Sequence, residues 1–132
     1  MRFEHRTRKP AQAIAGGLER LTALMERQRA RHAAPDPVKA SLYAAKAQAA
    51  RDFLAGQAGP RVSDALQREA RGRRMSPDKL ARTVIDKHEA AQAAAFILSD
   101  IEREAAVRIR NVKTVAEVTA ILAETEQSCA AL

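Results

Sequence analysis

SPDKLARTVIDKHEAAQAAAFILSDIEREAAVRIR, Ser76 to Arg110, is the stretch that decides the fold. Ser76 can accept hydrogen bonds from free backbone N–H groups, Pro77 suits a first helical position, and Asp78 favours the positive end of a helix dipole. No proline or glycine follows until after Arg110. Leu80, Val84, Ala91, Ala95, Leu98, Ile101, Ala105 and Ile109 recur at spacings near three and four, which places them on one face of a helix. Such a helix makes roughly nine turns and is about 50 Å long. It cannot bury its apolar face against itself, so the rest of the chain, or another chain, has to supply the cover.

Proline and glycine, five of each, fall almost entirely between periodic segments and divide the rest into helices. The first helix follows Pro10, with Ile14, Leu18, Leu21, Met25 and Gln28 on one face. Gly16-Gly17 inside it either weakens the first turns or allows close packing there. Asp36-Pro37 is a helix start, and a second helix runs to about Ala55 with Val38, Leu42, Ala45, Ala49 and Phe53 as its stripe. A short helix from about Val62 to Arg71 carries Val62 and Leu66 inward, and Gly72 is suited to the left-handed conformation that stops it. Asn111 is suited to the same role after the long helix. Thr114-Val115-Ala116-Glu117 then matches a capping box and opens a last helix bearing Val118, Ile121 and Leu122, with Ala130-Ala131-Leu132 fraying. The expected fold is all-α: four or five helices, arranged as helix hairpins packed around the long one. Residues 10–132 read as a single helical domain behind a basic, flexible segment at 1–9.

Composition supports that class. Apolar residues make up 46% of the 132, yet aromatics are only 3% and tryptophan is absent. Alanine-rich contacts let helices approach closely while burying little area, so association with a further surface is expected to stabilise the fold. The single cysteine, Cys129, cannot form an internal disulfide, and no apolar run is long enough to span a membrane. The first fifteen residues lack the apolar core of a secretory signal, so the expected location is the cytoplasm.

Catalytic chemistry finds little support. His5, His32 and His88 have no metal-ligand spacing, and His88 lies on the stripe of the long helix as a helix-contact histidine. Asp100, Glu102 and Glu104 alternate with arginine and read as surface ion-pair partners. No phosphate-binding glycine loop, nucleophile triad or paired-cysteine motif occurs. No catalytic, cofactor-binding or metal residues are assigned. The net charge of +7 is uneven: residues 1–35 carry eight Lys/Arg against three Asp/Glu, and residues 61–80 carry six against three. Arg2, Arg6, Arg8 and Lys9, with Arg71, Arg73 and Arg74, are therefore candidate contacts for phosphate or an acidic partner. No helix-turn-helix signature accompanies them, so any nucleic-acid contact is expected to ignore sequence.

Leu42-Tyr43-Ala44-Ala45-Lys46-Ala47 through Phe53-Leu54-Ala55-Gly56, then Ser76-Pro77-Asp78-Lys79-Leu80-Ala81, and finally Lys113-Thr114-Val115-Ala116-Glu117-Val118, form a pattern spanning residues 42–122. It resembles the helical module of tail-fibre and tail-accessory proteins of tailed bacteriophages and prophages. Where members of that group often carry tryptophan in the long helix, this chain has Ala94-Ala95-Phe96. The resemblance implies a structural or assembly role in a virion and carries over no catalytic residue. The function expected is that of a non-enzymatic interaction protein working through helix contacts, as a homo-oligomer or with another virion protein. The expected anchors are Leu42, Phe53, Leu80, Val84, Leu98, Ile101 and Ile109. The alternative is a basic protein that contacts nucleic-acid phosphates.

Overall fold

The computed structural model describes residues 10–33 and 36–132; the basic segment at 1–9, with Arg2, Arg6, Arg8 and Lys9, lies outside them. Five helices follow in order: α1 (Pro10–His32), α2 (Pro37–Leu54), α3 (Pro60–Gly72), α4 (Pro77–Arg110) and α5 (Val115–Ala130). The chain is all-α, and α4 is unbroken over 34 residues.

The helix starts follow the side-chain chemistry written into the sequence. Asp36 accepts the Lys39 N–H at 2.8 Å, and Ser76 accepts the Lys79 N–H at 3.1 Å. Thr114 accepts the Glu117 N–H at 3.2 Å, while the Glu117 carboxylate reaches back to the Lys113 N–H at 3.2 Å, one residue beyond the usual capping-box partner.

The helix stops differ from expectation. Gly72 is the last residue of α3, and the left-handed position falls two residues later, on Arg74 at φ 56°. Asn111 has no positive φ; instead its amide Nδ2 donates to the Val107 carbonyl at 2.9 Å and closes the end of α4. At the carboxyl end α5 persists through Ala130, so Ala130 does not fray.

Contacts among the described residues group into two compact units: 10–32 with 94–132, and 33 with 36–93. In the first, α1 packs against α5. Its core holds Leu21, Leu24, Met25, Leu98, Ala105, Ile109, Val112, Val118, Ile121, Leu122 and Cys129. Gly17 fixes how closely the helices meet, because a Cβ there would lie 2.9 Å from both Ile109 Cγ2 and Val118 Cγ1. The second unit is thinner. Its apolar cluster is Leu66, Ala70 and Leu80, flanked by half-buried Phe53, Met75 and Val84. Here α2 packs against α3, and the side of α2 that is fully buried is Ala47 and Ala50. The expected α2 stripe is thus rotated: Val38 is 78% exposed and Leu42 58%. Small alanines let two backbones come close enough to bury the α2–α3 contact, a geometry that hydrophobic periodicity does not weigh.

Candidate functional site

Of the seven expected anchors, Leu80, Leu98 and Ile109 are buried, at 0%, 1% and 0% exposure. Ile101 packs on the core of the first unit, and Phe53 and Val84 flank the cluster of the second. Leu42, 58% exposed, belongs to neither apolar cluster among the described residues. On α4, Ala91 and Ala95 of the expected seam are exposed, as are Phe96 (76%) and Ile97 (44%). The segment Ala90–Ser99 carries no charged residue at all. Phe96 and Ile97, with Val38, Leu42 and Tyr43 in the first half of α2, are exposed large apolar side chains of these two helices.

The charges sort by unit. In the first, Arg29 of α1 pairs with Glu102 of α4 at 2.6 Å, Arg108 of α4 pairs with Glu124 of α5 at 2.7 Å, and Arg103 pairs with Asp100 one turn away. The Glu102 hydrogen bond and charge hold the Arg29 guanidinium above its ordinary pKa. These are the surface pairs read for Asp100 and Glu102 in the sequence. The described residues of this unit, 10–32 and 94–132, hold eight basic and eight acidic side chains and so balance. The second unit holds eleven against seven over residues 33–93, and residues 61–82 alone hold seven against three. Its ion pairs centre on Glu69 of α3, which binds Lys46 of α2 at 2.6 Å and Arg73 at 3.2 Å. Arg51 and Glu89 are 3.7 Å apart. The Glu69–Arg73 pair has the i, i+4 spacing that sequence can show, whereas Lys46 lies 23 residues before Glu69 and only the α2–α3 packing brings it in.

Arg71, Arg73 and Arg74 are all exposed around the α3–α4 turn. The turn is built by two backbone bonds, Met75 N–H to Ala70 O at 3.0 Å and Arg74 N–H to Arg71 O at 3.1 Å. This is a Schellman closure with Arg74 in the left-handed position. The same closure ends α2, where Gln57 N–H meets Asp52 O at 2.8 Å and Gly56 N–H meets Phe53 O at 3.1 Å. There the left-handed residue is Gly56, at φ 72°. One chain thus fills equivalent positions with glycine and with arginine, although the conformation disfavours a side chain by roughly 1–2 kcal/mol.

No set of three or more His, Cys, Asp or Glu among the described residues is placed to hold a metal ion. His88 is half-buried on α4. An open recess between the end of α4 and the start of α5 is lined by Val107, Arg108, Asn111, Val112, Glu117, Ala120 and Ile121. It offers no thiol, imidazole or hydroxyl, its arginine is paired with Glu124, and its carboxylate caps a helix. Cys129 is 1% exposed within the first core. Burial pushes its thiol up from the usual range, and the Glu126 charge adds to the shift. A raised pKa leaves less thiolate at a given pH, and the thiolate is the reactive form. Native protein at pH 8 should therefore react with a disulfide reagent at least about tenfold more slowly than guanidinium-unfolded protein; equal rates would show that Cys129 is accessible.

No described helix is long and apolar enough to cross a membrane. No family model, curated protein or solved structure matches the chain.

Proposed function

We propose that this chain is a non-enzymatic assembly protein that associates through apolar helix faces, with a second copy of itself as partner, in the setting of a phage or prophage tail. The observation that supports it is the uncovered first half of α2. Val38 is 78% exposed, Leu42 58% and Tyr43 46%, in a segment from 38 to 45 whose only charge is Lys39. The unit bearing them buries only a small cluster of its own, so cover from outside has more to contribute there than in the first unit. A face with almost no charge suits self-pairing about a two-fold axis, because no like charges are forced together. Phe96 and Ile97 on α4 are a second uncovered pair. The tail setting is supported by the pattern in residues 42–122 alone.

Sedimentation equilibrium tests the reading. The protein is expected to populate dimers or larger species. Leu42→Glu with Val38→Glu should raise the dissociation constant at least about tenfold, since burying an unpaired carboxylate is costly. Circular dichroism should show helix content unchanged. A chain that is monomeric at every concentration, or a variant that associates as tightly as the parent, would overturn the reading. Neighbouring genes for tail components would support the setting, and relaxase genes alongside would remove it.

A further inference from the structure

From the α3–α4 turn we infer a second, separate binding surface: a site for the phosphate backbone of duplex nucleic acid, built from Arg68, Arg71 and Arg74. Three observations converge on it. The excess positive charge of the second unit falls entirely within residues 61–82, where seven basic side chains face three acidic ones, while the described residues of the first unit, 10–32 and 94–132, balance eight against eight. Arg68 and Arg71 are exposed, three residues apart on α3 and so on adjoining positions of one helix face. None of the three has an acidic partner within ion-pair distance among the described residues, whereas Arg73 is held by Glu69.

To these three is added Arg74 itself. Gly56 occupies the equivalent left-handed position at the end of α2, so this fold has an unstrained solution for that closure and uses it once. At the end of α3 the glycine sits two residues early, at Gly72, where a side chain would meet nothing within 4 Å. The strained position is given to a cation instead. Strain held where a glycine would relieve it points to a role for the side chain. Guanidinium is the group that grips phosphate oxygens with two parallel donors.

The surroundings favour a phosphate backbone over an acidic protein. Protein interfaces draw most of their energy from buried apolar and aromatic anchors. Around this turn the apolar residues face inward: Leu66, Ala70 and Leu80 are buried, and Met75 packs on them. A partner here meets charge without an anchor, as duplex phosphates require. With no aromatic side chain at the turn for bases to stack on, binding is to duplex rather than to splayed single strands.

The test uses the full chain and a fluorescein-labelled DNA duplex, with anisotropy followed against salt. Binding is expected at low salt. Arg68→Gln, Arg71→Gln and Arg74→Gln together should lower the slope of log K against log salt by about 3, roughly one unit per lost phosphate contact. Removing the same charge from the first unit, through Arg20→Gln, Arg27→Gln and Arg110→Gln, should leave the slope in place. Arg74→Gly separates role from strain: it should melt a few degrees higher and bind the duplex more weakly. Four results would each overturn the inference: no binding at low salt, an unaltered slope in the first triple variant, equal losses in both triples, or displacement of the duplex by polyglutamate at equal charge. The dimer reading is unaffected by any of them.

Discussion

Gly17→Val is expected to destabilise the first unit by about 3 kcal/mol and to lower its melting temperature by on the order of 10 °C. A Cβ at this position would lie 2.9 Å from Ile109 Cγ2 and from Val118 Cγ1, and 3.2 Å from Val118 Cγ2. Those are methyls on branched β-carbons, with no flexible arm to swing aside, and Ile109 and Val118 are 0% and 2% exposed. Relief therefore has to come from moving whole helices. Alanine is a milder probe. It gains up to about 1 kcal/mol over glycine in helix propensity, but the overpacking it causes costs about 1–3 kcal/mol, so a net loss is expected. Thermal unfolding followed by circular dichroism reads both. A valine variant as stable as the parent would mean that α1 does not lie this close to α4 and α5.

Leu80→Ala is the second large effect, at about 3 kcal/mol. Leu80 is 0% exposed and is the largest fully buried side chain in a cluster that otherwise rests on Leu66 and Ala70. A cavity there has few neighbours to collapse into it. The informative control is Leu42→Ala, chemically the same truncation at a site 58% exposed, which should cost less than about 0.5 kcal/mol in dilute solution. Hydrogen exchange should place the Leu80→Ala loss in α2 and α3, with α1 and α5 keeping their protection. Equal costs for the two leucines would contradict the burial pattern.

The contrast between those two leucines also marks how far the sequence could be read. Element starts were legible because Asp36, Ser76 and Thr114 carry side chains that bond the free N–H groups of a first turn, a purely local chemistry. The long helix was legible because nothing between Pro77 and Arg110 interrupts it. Leu80, Leu98 and Ile109 stood out because the periodic face of α4 does meet a core at both ends. The middle of α4 and the first half of α2 depart from their periodic pattern for one reason: periodicity reports which side of a helix is apolar, not whether anything lies against it. Ala47 and Ala50 were overlooked because alanine is a weak hydrophobic signal and a strong steric one. The displaced stop at Arg74 was hidden because Gly72, the residue best suited to a left-handed turn, sits only two positions away. The Lys46–Glu69 contact depends on packing between helices and leaves no local trace.

The discontinuity of the first unit sets an order of events at the ribosome. The apolar face of α1, with Leu21, Leu24 and Met25, is synthesised first, yet its partners on α4 and α5 emerge only after residues 33–93 have been made. At ordinary elongation rates of about 5–20 residues per second, the nascent α1 waits on the order of 3–12 s with its greasy side unpaired. During that interval the inserted segment can finish its own small cluster, while α1 is the natural landing place for a chaperone.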